Sequence, residues 1–416
     1  METFIKLIAA CYERGFSDLH IAGDHPLVCR RDGEVFFQKQ HTLSAQQVDD
    51  LVDSLLNPLQ KRRLREHWAT DLALSIAGKR VRINVFSSHR GASLAIRFLP
   101  DSTPDLDSLN LHPSLRDFCG LSSGLLVICG STGSGKTTTI AALINEINST
   151  RACHVVTLED PIEYLFTSNK AFVEQRELGK HFHSYQRGLL DVLRQAPDVV
   201  VVGEMRTPET IQLALDAAES GHLVITTMHA GSHEEAVHRM CNLTGANANE
   251  HTRLQLAHSL AGIINQQLLY MPRLRHSVPL LSILRNSKAI ATLIRENKLS
   301  QLDGYLETCK DKGMFTFSSY RDDYLATRKE FYTPEERGQT QASCAPGESA
   351  SRLFDYGALA GGGHVRKAGG GVGESCPIPY DTETEWLAES VAGPGGSAAP
   401  DDDIDAYISQ LESRSS

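Results

Sequence analysis

The stretch Gly130-Ser-Thr-Gly-Ser-Gly-Lys-Thr137 has the spacing G-x-x-x-x-G-K-[ST], which places glycines, a lysine and a hydroxyl to hold a phosphate chain. Glycines let backbone N–H groups curl around an anion without Cβ clashes. A helix starting at the end of such a loop adds unpaired N–H groups and the positive end of its dipole. Lys136 can reach the outer phosphates, and the Thr137 hydroxyl can hold Mg²⁺. A Gly/Ser turn followed by a solvated lysine would share this composition. It would not require the apolar run at 125–129 before the loop, which reads as a buried strand, nor the helical pattern at 138–147 after it.

Those flanks belong to a recurring pattern. Apolar runs at 125–129, 154–158, 199–202 and 222–228 alternate with helical stretches. Near-continuous Val/Ile/Leu runs imply strands buried on both faces of a parallel sheet. Ligands of such sheets bind beyond the carboxyl ends of the strands. Each run ends in residues with chemical use: the phosphate loop, then Glu159-Asp-Pro-Ile-Glu163, then Gly203-Glu204-Met-Arg206, then His229. Topology alone would gather these groups into one site.

Within that site, Glu204 should hold Mg²⁺ through water, and the water-activating base falls more naturally to Glu163. Glu159 and Asp160 could help with Mg²⁺ or with loop geometry. His229 could donate to the outer phosphate and report its loss, and His222 could orient the acids. The plain alternatives are solvated loop acids and satisfied core histidines. Arg80, Arg82 and Asn84 alternate with Val81, Ile83 and Val85, so the cationic row shares one strand face. Presented to a neighbouring subunit's nucleotide, it would supply transition-state charge; a charged edge strand is the alternative. Arg206 and Arg239 could tie subunits together.

Around this core, residues 1–99 read as a small α+β domain. It has a helix over 2–14, a hairpin about Asp32-Gly33, a helix from Ser44 interrupted near Pro58, and antiparallel strands at 71–76, 80–86 and 93–99. Residues 100–104 read as a linker. The α/β domain spans 105–340, with helices after 286. The segment 341–416 carries Gly, Ala and Ser tracts and twelve acidic residues against four basic, the composition of a disordered acidic tail. Two islands interrupt it: Thr382-Glu-Thr-Glu385, resembling a capping box, and the helical stripe Ile404, Tyr407, Ile408 and Leu411.

Composition narrows the class. A chain of 416 residues with 41% apolar and 22% charged content is an ordinary soluble protein. No run of about 18 apolar residues suggests a membrane span, and Met1-Glu-Thr-Phe-Ile-Lys lacks the layout of a signal peptide. The expectation is a cytoplasmic protein that can dock on a membrane machine without inserting. Nine scattered cysteines without a C-x-x-C pair argue against a structural zinc site. A formal net charge of −10 disfavours nucleic acid as the main partner.

Over residues 1 to 335 the motifs resemble those of the PilT-like retraction ATPases of the type II/type IV secretion ATPase superfamily. Gly130–Thr137 resembles the Walker A loop, Thr157-Leu-Glu-Asp-Pro-Ile-Glu163 the "Asp box", Asp198-Val-Val-Val-Val-Gly-Glu-Met-Arg206 the Walker B strand, and Gly221-His-Leu-Val-Ile-Thr-Thr-Met-His229 the "His box". Arg80-Val-Arg-Ile-Asn-Val-Phe, Arg90-Gly91 and Arg97 resemble the arginine-bearing strands of the N-terminal domain. The resemblance implies a PAS-like domain followed by a RecA-like P-loop domain with a mainly parallel sheet. It also implies homo-hexameric rings with ATP and Mg²⁺ between subunits, peripheral to the inner-membrane pilus platform protein and other type IV pilus machinery, powering pilus retraction and twitching motility.

The site residues expected on this reading are Glu163, Glu204, His229, Arg82 and Arg97 for catalysis. Gly130, Ser131, Thr132, Gly133, Ser134, Gly135, Lys136, Thr137 and Thr138 would bind the nucleotide, and Thr137 and Glu204 would hold the metal. An assembly or secretion ATPase, or a nucleotide-dependent regulator without useful turnover, are the competing readings. Three departures are visible. Ala289-Ile-Ala-Thr-Leu-Ile-Arg-Glu296 stands where A-I-R-N-L-I-R-E is usual, Ala196 stands where Asp is usual, and Ser282 where Glu is usual.

The tail composition generates the first prediction. Truncation after residue 340 should leave soluble, folded protein with its basal ATP hydrolysis, because the removed segment lacks the apolar content to offset its ordering entropy. Insoluble or inactive truncated protein would make the tail structural.

Overall fold

A computed structural model describes residues 1–333 except 32, 101, 244–248 and 310–311. The two islands expected in the tail lie outside the described residues.

The chain opens with α1 (Glu2–Glu13), β1 (Asp18–Ala22), β2 (His25–Arg31) and β3 (Glu34–Leu43). It continues with α2 (Ala45–Leu55), α3 (Pro58–His67), β4 (Ala69–Ile76), β5 (Lys79–Ser88) and β6 (Gly91–Phe98). The strands form one antiparallel sheet in the order β3-β2-β1-β6-β5-β4. Sequence chemistry sets the helix starts. Ser44 and Asn57 each close a capping box with the glutamine three residues on, and Pro58 sits in the first turn of α3, where its missing N–H costs nothing. Val81, Ile83 and Val85 of β5 are buried with Ile8, Val48 and Val52 of the two covering helices. The opposite face of β5 carries Arg80, Arg82 and Asn84.

The second unit runs through α4 (Leu115–Cys119), β7 (Gly124–Cys129), α5 (Lys136–Thr150), β8 (His154–Glu159), β9 (Phe172–Glu177), α6 (Tyr185–Val192), β10 (Val199–Val202), α7 (Pro208–Glu219) and β11 (Leu223–Met228). It ends with α8 (His233–Leu243), α9 (Asn249–Ser259), β12 (Leu260–Met271), β13 (His276–Arg285), α10 (Lys288–Arg295), α11 (Leu302–Glu307) and α12 (Phe317–Ser319). Its sheet has the order β13-β12-β7-β11-β10-β8-β9. All neighbours pair in parallel except β12 and β13. The α/β class with a mainly parallel sheet is therefore as the sequence implied. Leu125, Val127 and Cys129 enter one apolar layer and Leu126 and Ile128 the other, as expected of strands covered on both faces.

Strands β9, β12 and β13 were not expected. Polar Glu174, Gln175 and Arg176 break the apolar run of β9, and Asn265, Gln266 and Gln267 do the same in β12. The Ala289–Glu296 segment is helical as its period implies: Ile290 and Ile294 are fully buried, Leu293 packs on the same cluster, and Arg295 and Glu296 are exposed.

Ala196 is exposed and adopts φ +52°, a left-handed conformation in which a Cβ meets the following carbonyl. Asp or Asn tolerates that region better, which gives a physical reason for the residue usual there. Ala196→Gly should stabilise the chain by about 0.5–1 kcal/mol, read as a higher denaturant midpoint with an unchanged slope. An unchanged or lower midpoint would show that the strain is absent.

Candidate active site

The carboxyl ends of β7, β8, β10 and β11 carry the groups picked out above. The loop after β7 turns on Gly130, Gly133 and Gly135, with φ of +147°, +79° and +88°. A Cβ at Gly130 would lie 2.3 Å from the Gln266 carbonyl oxygen and 2.6 Å from Ser134 Oγ, so only glycine fits. Helix α5 starts at Lys136 without a side-chain cap, whereas α2, α3, α6, α7 and α10 each carry one. Its first-turn N–H groups are thus left for an anion. Lys136 Nζ donates to the Gly130 and Ser131 carbonyls, each at 2.9 Å. Burial lowers its pKa, and Glu204 opposes that shift. Thr137 is exposed at the helix start, and Thr138 Oγ1 accepts from Tyr164 Oη at 3.4 Å.

Sequence reasoning missed the residue that braces this loop. Gln266 Nε2 donates to the Ser134 carbonyl at 2.7 Å, and its Oε1 accepts from Thr139 Oγ1 at 2.7 Å. It is buried on β12, far along the chain from the loop. The pairing of Asn265 with Cys129 carries it there. No local motif marks such a residue; only the strand register does.

Around the loop stand the acids. Glu204 Oε2 accepts from Arg206 Nε at 2.8 Å and lies 2.6 Å from Arg206 Nη2, and its Oε1 is 3.6 Å from His229 Nε2. Arg239 donates to the His229 carbonyl oxygen. Arg206 and Arg239, expected between subunits, are thus engaged with the site of their own chain. Glu159 Oε1 accepts from Thr157 Oγ1 at 2.6 Å and from Gln175 Nε2 at 3.0 Å, and burial pushes its pKa up to about 7. Burial also raises Glu163 and Asp160. His222 does not join them. It precedes β11, at the opposite end of the strand from His229, and its Nδ1 meets the Ala217 carbonyl at 3.0 Å. It therefore closes the end of α7 instead of orienting the acids.

Arginines arrive from the first unit. Arg82 Nη1 lies 3.2 Å from Glu163 Oε1 of the same chain, and Arg80 Nη2 donates to the Ile162 carbonyl at 3.0 Å. Within the chain, the polar face of β5 is thus turned onto the loop after β8. Arg97, paired across the sheet with Arg82, is mostly exposed and bonds Asp18 Oδ1 at 2.9 Å. It touches none of the site acids, although its charge lowers the Glu163 pKa.

Residues 6–301 match the family model of the type II/IV secretion system protein. The chain belongs to that family. It is 36% identical over 313 residues to the uncharacterized protein YggR of Escherichia coli (strain K12), covering 75% of this chain and 95% of the relative. It is 35% identical over 312 residues to the type IV pilus retractation ATPase PilT of Pseudomonas aeruginosa, covering 75% and 90%. Among solved structures it resembles the pilus retraction motor PilT with bound ADP, with a TM-score of 0.67 and 34% identity over 80% of this chain and 98% of that one. As a member of this family it is a nucleotide-binding secretion or pilus ATPase. No helix among the described residues is long and apolar enough to cross a membrane.

The raised acid gives a prediction with a definite sign. A carboxyl lifted from 4.5 to about 7 on folding binds its proton more tightly in the native state, so its contribution is full below the unfolded value and is lost as pH rises through the folded one. The Glu159 contribution to the unfolding free energy should therefore decline between about pH 4.5 and 7. Glu159→Gln should flatten that decline relative to the wild type. Identical pH profiles for the two proteins would refute the shift.

Proposed function

We propose that the chain is an ATP-hydrolysing motor that works as a homo-hexamer and drives retraction of a type IV pilus. The observation that carries this reading is the convergence on one sheet edge of an uncapped phosphate loop, Glu204, His229 and the half-buried Glu163. The match to a pilus retraction ATPase over nine-tenths of that protein's length supports the direction of work.

In this reading the α5 N–H groups and Lys136 bind the phosphates of ATP. The residues present suit Mg²⁺ held between the nucleotide, the Thr137 hydroxyl and Glu204, because Mg²⁺ takes oxygen donors and is usually held by one or two carboxylates together with substrate phosphates. Bound there, Mg²⁺ would neutralise phosphate charge. Glu163 takes the proton of the attacking water, and its raised pKa brings it closer to the operating pH of a base. Arg82 gives up Glu163 for the more highly charged outer phosphate, which frees the carboxylate and adds charge stabilisation in the same movement. His229, beside Glu204, reports the state of that phosphate to α8. The ring would sit on the cytoplasmic side of the inner-membrane pilus platform.

Lys136→Ala should abolish ATP binding or turnover. Glu163→Gln should retain nucleotide binding and lose about 10²–10⁴-fold in rate; wild-type turnover would move the base to Glu159 or Glu204. Arg82→Ala should cost about 10³–10⁵-fold. Because Arg82 meets Glu163 of its own chain, mixed rings of Arg82→Ala and Lys136→Ala subunits should stay inactive; recovered activity would place the arginine across a subunit interface. In the host, deletion should abolish twitching and leave excess surface pili, whereas loss of pili would make the motor an assembly ATPase.

A further inference from the structure

A cavity of roughly 290 Å³ lies between the start of α8, the β12/β13 pair and the helices α11 and α12. His233 and Asn265 form its floor; both are about 1% exposed. His233 Nδ1 and Asn265 Oδ1 have no hydrogen-bond partner among the described residues. Two carboxylates, Asp303 and Glu307, line it as well and are exposed.

The hydrogen bonds fix which way the floor is polarised. His233 Nε2 lies 3.3 Å from both the Ser282 carbonyl oxygen and Ser282 Oγ. The carbonyl can only accept, and Ser282 Oγ donates its one proton to the Phe315 carbonyl at 2.9 Å. Nε2 must therefore carry the hydrogen, and a neutral imidazole with Nε2–H has a bare lone pair at Nδ1. Burial holds His233 neutral by pushing its pKa down to about 4. The floor thus offers the His233 Nδ1 lone pair beside the unpartnered Asn265 amide, and the mouth two carboxylates. No lysine or arginine is among the described lining residues. Burial is the main cause that raises the Asp303 pKa, and the neighbouring Glu234 and Glu307 add like charge.

Such a site asks for a positively charged group with several N–H donors. A directly ligated metal ion does not fit, because the described residues assemble no set of three His, Cys, Asp or Glu that could hold one. We propose that this cavity binds a guanidinium or alkylammonium group, an N–H donor directed at His233 Nδ1 and its charge matched by Asp303 and Glu307. The position gives the site access to the motor. Asn265 pairs with Cys129 immediately before the phosphate loop, Gln266 beside it braces that loop, and Gly231 of the lining follows His229 by two residues. A bound cation would tie α11 and α12 to both.

The test is calorimetric titration of the full chain with N-butylguanidine, with the neutral isostere N-butylurea as control. Saturable binding of the cation alone is expected. The Asp303→Asn/Glu307→Gln double variant changes only exposed side chains and should fold as the wild type by thermal unfolding. It should weaken binding by at least about tenfold, the loss expected for one charge-assisted contact. The exposed variant Glu250→Gln should bind as the wild type. A blocked Gly-Arg-Gly peptide distinguishes the source: binding comparable to butylguanidine assigns the group to an arginine of a partner protein, and binding of the free cation only assigns it to a small metabolite. No saturable binding at millimolar probe, equal binding of butylurea, or indifference to the double variant would overturn the proposal and leave a water-filled cavity. None of these readouts depends on ATP turnover, so they stand apart from the motor assignment.

Discussion

The site depends on the bond between one buried glutamine and one loop carbonyl. A ring of N–H groups attracts an anion strongly only if it is already in place, since ordering it at the moment of binding would consume much of the gain. Three left-handed glycines make the loop possible, but glycine also makes it soft. Gln266 removes that softness by holding Ser134 from one end of its amide and Thr139 from the other. Its backbone closes against Gly130 so tightly that no side chain fits there. The β12/β13 hairpin is thus more than an extension of the parallel sheet. It supplies the wall against which the phosphate loop is shaped.

The second dependence is electrostatic and crosses the two units. Glu177 of β9 has a side chain only 4% exposed, and it meets Lys180 at 2.8 Å and Arg80 at 3.8 Å. Lys180 in turn donates to the Ala73 carbonyl of β4 at 3.1 Å. With Arg82 on Glu163, the contacts across the seam are charges and carbonyls, and no apolar cluster among the described residues spans both units. A buried pair is weak evidence for stability, but removing one partner alone is costly. A seam of this kind holds one geometry and yields when a stronger anion arrives, because its contacts are directional and few. An apolar seam would resist that exchange over its whole area.

Much of this was legible in the sequence, for identifiable reasons. Strands buried on both faces announce themselves as Val/Ile/Leu runs, and the loop, Glu163, Glu204 and His229 could be placed because each follows such a run. Gln266, Glu177 and the His233–Ser282 contact could not, because each acts through register with a strand distant in sequence, and β9 and β12 conceal their character behind polar residues. The histidine at 222 was misread for the opposite reason. It lies within a recognisable box, yet it stands at the amino end of the strand, where the sheet presents no ligand edge. Motif membership located the strand, and only direction along the strand separates the two histidines.

The departures from the usual pattern share a physical character. Ala291 and Thr292, where Arg and Asn are usual, lie on the partly or fully exposed side of α10, while Ile290 and Ile294 keep that helix in the apolar cluster that contains Leu125 and Val127. Packing on that cluster holds the helix in place, and the exposed Thr292 takes no part in it. Ser282 is the inward counterpart. A glutamate there would bring a carboxylate against His233 and could accept the Nε2 hydrogen itself. Serine instead spends its proton on Phe315 and leaves the histidine fixed in one tautomer, its Nδ1 without a partner among the described residues. The nucleotide-binding edge is thus shaped by register and glycine geometry. What this chain can engage besides nucleotide is set by a handful of side chains that touch that edge only through Asn265, Gln266 and the turn after His229.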